Sequence, residues 1–477
     1  MTTIKSTQSI SSKDNLVLIG NGKSDFAKQG LSKAEADFVA KQIKAEEHFI
    51  NINQYSRRIF IYMAEDKKNE NYALEAFRKA GNKACGVFNT AKAESITIVD
   101  LAGNAEQILA FAEGMALGNY QFIQLKKDVK KLTHSLKTIL IHSKNVTAKQ
   151  IQNLQIVVDA TEKARTLVNK PLNYLNAVQL AQEFEKMGKE AGFNVEVLNK
   201  AKITALKMGG LLAVNMGSID PPTFTIMEYK PKNAVNKKPY MLVGKGVVYD
   251  TGGLSIKPTA GMADMKCDMA GAAVVGCTMY AIAKAGLPVW VVGLTPATDN
   301  RPGGNAYTNG DILTMHSGAT VEMLNADAEG RLILADALSY GKKYNPELAI
   351  DLATLTGAAA AAIGKYGIVA MGTADKNQFD ALKDSGEKVN ERLVEFPMWE
   401  EYGDLLKTEI ADMKNIGGPY AGAITAGKFL EKFTSYPWIH LDIAGPAFID
   451  SAWDYKPKGG TGYGVRLLFD FLSNVKK

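Results

Sequence analysis

Cysteine is scarce in this chain of 477 residues: Cys85, Cys267 and Cys277 are too few and too scattered for a disulfide framework, which suits a reducing compartment. No apolar run reaches the roughly 18 residues of a membrane span, and the polar stretch Met1 to Lys13 has no apolar core of signal-peptide length. A cytoplasmic protein with no membrane segment is expected. Charge of one sign is also in short supply. The net charge is +6 and the lysines are dispersed, with only short clusters such as Lys126-Lys127 and Lys130-Lys131. Nucleic acid is not expected as a partner, since a clustered basic face would be its footprint. The five histidines, His48, His134, His142, His316 and His440, form no HExxH, so a single-zinc protease is a weak reading. No Gly-x-Ser-x-Gly elbow is present for a serine hydrolase. The segment Gly422 to Lys428 opens like a phosphate-binding loop, but Phe429 stands where a Ser or Thr would bind Mg.

What is present is ordinary globular material, 46% apolar and 22% charged, in a chain too long for one hydrophobic core. Residues 1–146 alternate strand-like runs (Leu16–Ile19, Ile59–Met63, Ile96–Leu101, Thr138–His142) with amphipathic stretches (Lys33–Ile43, Tyr72–Ala80, Ala105–Met115), which predicts a small N-terminal α/β domain. Over residues 147–170 the apolar positions Ile151, Leu154, Val157, Ala160, Ala164 and Leu167 recur at near-helical spacing before Pro171, which predicts a long linker helix. Residues 171–477 carry short buried-strand runs at Tyr240–Val243, Val289–Leu294, Ala349–Leu352, Ile368–Met371 and Trp438–Leu441, separated by helical stretches such as Met269–Ala285 and Leu332–Tyr344. The expected fold is therefore α/β in two domains, the larger C-terminal one holding a mainly parallel sheet flanked by helices. Active sites of such sheets gather at the carboxyl ends of the strands.

Two segments carry the chemistry. Asn325-Ala326-Asp327-Ala328-Glu329-Gly330-Arg331-Leu332 packs two carboxylates and a guanidinium just before a helix; run extended, it points Asp327 and Glu329 to one side. Upstream, the strand from Tyr240 runs into a loop with Gly244, Gly246, Gly252 and Gly253, bearing Lys245, Asp250 and Lys257. Asp268 stands at the entrance of a small-residue helix, where a carboxylate serves either as an N-cap or as a ligand. If Asp250, Asp268, Asp327 and Glu329 converge, their repulsion calls for cations, and two divalent metals balance the charge. Oxygen ligands suit Mg or Mn and also accept Zn. Lys245 beside such ions could coordinate only as a neutral amine, its pKa depressed. Lys257 and Arg331 read as charged groups that receive negative charge developing on a substrate oxygen.

Through GKGVVYDTGGLSIKP, MKCDMAGAA, NADAEGRLILADAL and DLATLTGA the sequence closely resembles the leucyl aminopeptidase, or cytosol aminopeptidase, family over roughly residues 170–477. The resemblance implies a dinuclear peptidase with Zn or Mn, and Mg as a further option. Lys245, Asp250, Asp268 and Glu329 would hold the tighter metal, and Asp250, Asp327 and Glu329 the more exchangeable one. A water bridging the metals would attack the scissile carbonyl, Lys257 would stabilise the tetrahedral intermediate, and Arg331 would hold a bicarbonate acting as general base. The substrate's free amino group would coordinate a metal, which makes the enzyme release N-terminal residues, Leu and other apolar ones favoured, from short peptides. Met265, Thr354, Gly357 and Ala444 would line the pocket for the first side chain, with the carbonyl of Leu355 helping to hold the substrate. The family assembles as a hexamer, a dimer of trimers with its sites facing an internal cavity. Two positions depart from its pattern, Ala326 in place of threonine and Thr251 in place of serine. Competing expectations are a DNA-binding regulator on the same scaffold and a two-metal phosphoesterase.

Overall fold

A computed structural model describes residues 2–21, 23–64 and 69–475, leaving Met1 of the polar opening stretch outside. The chain divides into two compact units, Met1–Glu162 with Ser451–Lys458, and Lys163–Asp450 with Gly459–Lys477. The first holds β1 (Thr3–Ser6), β2 (Leu16–Gly20), β3 (Phe49–Asn53), β4 (Arg58–Met63), β5 (Ser95–Asp100) and β6 (Thr138–His142) in the order β1-β6-β5-β2-β4-β3. All neighbours run parallel except β3 against β4. Because side chains alternate along a strand, Val17 and Ile19 join one core with Phe77 and Phe111, while Leu16 and Leu18 join another with Val39. The helices Glu70–Thr90 and Ala105–Gly118 meet closely, since a Cβ on Gly81 would lie 2.0 Å from the Phe111 carbonyl oxygen. Tyr455, from the distant segment Ser451–Lys458, is buried in this unit and donates to Glu75 Oε2 at 2.9 Å.

The second unit is built on a larger sheet of β7 (Asn194–Leu198), β8 (Thr223–Tyr229), β9 (Tyr240–Gly244), β10 (Gly246–Asp250), β11 (Val291–Asn300), β14 (Leu348–Ala353), β15 (Ile368–Gly372), β16 (Leu393–Glu395) and β18 (Trp438–Asp442). A three-stranded sheet of β12 (Asp311–Thr314), β13 (Thr320–Met323) and β17 (Met413–Lys414) accompanies it. The large sheet runs β16-β15-β18-β14-β9-β11-β8-β7, with β10 added beside β11. Its centre is parallel: β18, β14, β9, β11 and β10 share one direction, and β15, β8 and β7 bring in the antiparallel pairs at the margins. Met241, Val243, Val292 and Leu294 face the helix Glu329–Gly341 in one core. On the opposite face a Cβ at Gly293 would meet Val275 and Met279 of the helix Ala270–Ala285. From β9 the chain goes to β11 on one side and then returns to β14 on the other, so a crevice opens at the carboxyl end of β9.

The linker expected over residues 147–170 is the helix Ala148–Asn169. The division into compact units falls inside it rather than at its ends, and Ser451–Lys458 joins the first unit. Boundaries at 146 and 171 therefore differ from the observed division, because the first half of that helix is part of the first unit's core through Ile151 and Val158. No helix among the described residues is long and apolar enough to cross a membrane, and the three cysteines are buried without disulfides.

Candidate metal centre

The expected site residues converge at the carboxyl ends of the central parallel strands. Lys245 directly follows β9, Asp250 ends β10, and Asp268 ends a short turn of helix, Ala263–Cys267, just before the helix Ala270–Ala285. The segment from Asn325 to Glu329 corrects one expectation: it is not extended. Asp327 lies in a turn, Ala328 N donates to Asn325 O at 3.2 Å, and Glu329 opens the helix Glu329–Gly341. The two carboxylates are thus aimed by a turn feeding a helix rather than by strand alternation. Asp268 does not act as an N-cap either, since Met269 holds that position with no side-chain cap.

The cluster has an inner and an outer half. In the inner half the Lys245 ammonium lies 2.7 Å from both Asp268 oxygens and 2.9 Å from Glu329 Oε1, and it donates to the Thr354 carbonyl at 3.0 Å. Thr354 Oγ1 donates to Asp268 Oδ1 at 2.7 Å. This close packing needs Gly330, where a Cβ would come within 2.6 Å of Lys245 Nζ. In the outer half Lys257 Nζ lies 2.8 Å from Asp250 Oδ2 and 2.5 Å from Asp327 Oδ1. The loop between turns back through Gly252 and Gly253, at φ 84° and 60°, whereas Gly244 and Gly246 lie in their strands without positive φ.

Burial alone works against the Lys245 charge, but Asp268, Glu329 and Asp250 outweigh it and raise its pKa. The depressed amine expected from the sequence is therefore not what the protein groups produce among themselves. With carboxylates and the Thr354 carbonyl as its neighbours, the ammonium is the favoured form, and a cation between them would have to displace its proton. Lys257 is raised in the same way, with Asp250 as its strongest partner. Burial pushes Asp268 well above the usual carboxylate range against the pull of Lys245, and Asp327 is raised to about 6 by burial and the Asp250 charge.

These residues fit a divalent cation on three counts. Four carboxylates face two ammonium groups, so negative charge is in excess. Asp250, Asp327 and Glu329 each offer an oxygen within 4.8 Å of the others. Glu329 Oε2 is buried without a hydrogen-bond partner. Arg331 lies beyond them, buried, donating from Nη1 to the Asn415 carbonyl at 2.6 Å, while its Nε has no partner. Burial lowers its pKa to about 10 despite the Glu329 and Asp442 charges.

Of the expected pocket residues, Met265, Thr354, Leu355 and Ala444 are half-buried and Gly357 is exposed, with Leu355 also packing against the core of the second unit. Asp442 draws two of them together by accepting from Leu355 N and Ala444 N, both at 3.1 Å. Sequence reasoning missed Asn300, Tyr307, Asn415 and Asp442. Asn300 Nδ2 donates to Asp250 Oδ1 at 2.8 Å and to the Ala326 carbonyl at 2.9 Å, and Tyr307 OH donates to the same carbonyl at 2.8 Å. The Asn415 side chain accepts from Leu324 N at 2.9 Å and donates to Asn325 O at 2.8 Å. The one available signal was the polar Asp299-Asn300 end of a strand that begins as an apolar run; nothing local marks Asn415.

An acidic cluster of this kind, at the switch point of a central parallel sheet, is the place where an α/β enzyme would hold a divalent cation. The profile of the cytosol aminopeptidase family, catalytic domain, matches residues 162–469. The probable cytosol aminopeptidase of Chlorobium limicola is 44% identical over 443 residues, covering 87% of this chain and 86% of that protein. The one from Chloroherpeton thalassium is 41% identical over 495 residues, covering 98% and 95%. Among solved structures, the bottromycin maturation enzyme BotP in complex with Mn superposes with a TM-score of 0.85 at 28% identity, covering 97% of this chain and 99% of that one. The chain belongs to the cytosol aminopeptidase family and is a metal-dependent aminopeptidase.

Proposed function

We propose that the protein releases N-terminal residues, Leu and other apolar ones favoured, from short peptides at a dinuclear centre. Lys245, Asp250, Asp268 and Glu329 would hold one metal, and Asp250, Asp327 and Glu329 the other. The observation that carries this reading is the meeting of Asp250, Asp327 and Glu329 within 4.8 Å, beside the Lys245–Asp268 pair. Divalent ions held there supply Lewis acidity and an acidified water near neutral pH. Manganese or zinc suits the donors, with Mg a further option, and the Mn complex of BotP supports manganese.

The chain's own residues do the rest. Lys257, half-buried at the outer edge, keeps its ammonium where negative charge grows on the carbonyl oxygen of the scissile bond. Arg331 presents a buried Nε with no protein partner, which suits an anchored bicarbonate acting as general base. A bicarbonate held by Arg331 would supply a proton acceptor without a histidine in the cluster. Met265, Thr354, Leu355, Gly357 and Ala444 would form the pocket for the first side chain, a use supported by the half-buried state of Met265, Thr354, Leu355 and Ala444 and the exposure of Gly357. A homohexamer in the cytoplasm completes the proposal. A pure, metal-loaded preparation should release Leu or Met from amino-acid amides and dipeptides; no release under those conditions would sink the reading.

A further inference from the structure

Asn300 closes β11 and sits beside Asp250 in the parallel register with β10. It is fully buried, and its one NH2 group donates to two acceptors from separate arms of the site, Asp250 Oδ1 and the Ala326 carbonyl. The amide orientation is dictated by chemistry, because the reverse would set Asn300 Oδ1 against a carboxylate and a carbonyl oxygen at once. Asp250 Oδ1 also accepts from Gly252 N at 2.8 Å, so protein donors occupy this oxygen and leave Oδ2, which faces Lys257, turned to the site. Tyr307, raised in pKa by burial and by the neighbouring carboxylates and so kept protonated, grips the Ala326 carbonyl as a second donor.

We infer that Asn300 is a positioning residue for the metal centre: its amide fixes the Asp250 carboxylate and ties it to the backbone just before Asp327, setting the spacing of those two ligands. This rests on the metal reading above. Because the tie is made to the carbonyl of residue 326, it does not depend on that residue's side chain, and alanine there leaves it intact.

The test measures binding of Mn alone, by competition with a chelating indicator, for the unchanged chain, Asn300→Ala, Asn300→Asp and Tyr307→Phe, with the thermal midpoint of each metal-free protein. Asn300→Ala should weaken Mn binding about 10- to 100-fold, the usual cost of removing a group that orients a ligand. Excess Mn should then restore peptide release, which a misfolded site would not permit. Asn300→Asp, nearly isosteric, should be weaker still, since it sets a buried carboxylate oxygen against Asp250 and the Ala326 carbonyl, and its thermal midpoint reads the accompanying cost to folding. Tyr307→Phe keeps the Asn300 tie and should lose less than about threefold. Unaltered Mn affinity in both Asn300 variants overturns this inference alone. No Mn binding by the unchanged chain overturns the metal centre and this inference with it.

Discussion

The inner and outer halves of the acidic cluster use the same chemistry, one lysine between two carboxylates, in different surroundings. In the inner half the side chains of Lys245, Asp268 and Glu329 are 3%, 7% and 2% exposed; in the outer half those of Lys257 and Asp327 are 21% and 32% exposed. The difference teaches a division of labour. A buried lysine held by two carboxylates and a carbonyl has no freedom to follow a substrate, whereas one at the edge can meet an incoming carbonyl oxygen.

The comparison breaks first at Asp268. Asp268→Ala removes a carboxylate from the inner half, and we expect loss of the metal held there with a fall in peptide release on the order of a hundredfold or more. Elemental analysis showing full metal content would strike Asp268 from the ligand set. At the outer half, Lys257→Ala should lower kcat more than about tenfold while keeping the metal content of the unchanged chain; metal loss in that variant would make Lys257 structural. Asp336 sharpens the contrast from outside, being fully buried with no lysine at all. It accepts only backbone N–H groups, from Leu211 at 2.9 Å and His316 at 2.8 Å among them, and burial pushes it up to about 7. Its folded pKa is raised, so between the ordinary carboxylate range and about 7 the folded chain binds more protons than the unfolded one, and stability falls as pH rises through that window. Asp336→Asn should flatten this part of the thermal-midpoint profile of the metal-free protein; an unchanged slope would deny the shift. The smallest effect belongs to Thr251→Ser. Thr251 Oγ1 donates to Asn300 O at 2.8 Å and accepts from Gly253 N at 3.2 Å, and serine keeps that hydroxyl. Peptide release should change less than about threefold, and a larger change would assign a role to the methyl group.

Strands with unbroken apolar runs were legible in sequence: Thr138–His142 is a strand over those residues, and Tyr240–Val243 extends by Gly244 alone. Two strands of the first unit escaped notice. Thr3–Ser6 buries only Ile4, and Phe49–Asn53 alternates with polar asparagines, so neither forms an apolar run. The helix expected over Tyr72–Ala80 runs on to Thr90, through Gly81, a residue that reads as a breaker but is needed where the neighbouring helix passes. In the site, the charged residues stood out because each lies in a compact motif. Their supports did not: Asn300 reaches Asp250 through strand register, and Asn415, just past the end of β17, reaches Asn325 from a distant part of the chain. Partners of this kind come together only through tertiary pairing, which no local window contains.

The placement of Tyr455 within the first unit has a consequence for biosynthesis. A nascent chain that has just emerged through the helix Ala148–Asn169 lacks the residue that donates to Glu75, and that residue leaves the ribosome only after nearly all of the second unit has been made. The first unit is thus the earliest to begin and among the last to be completed.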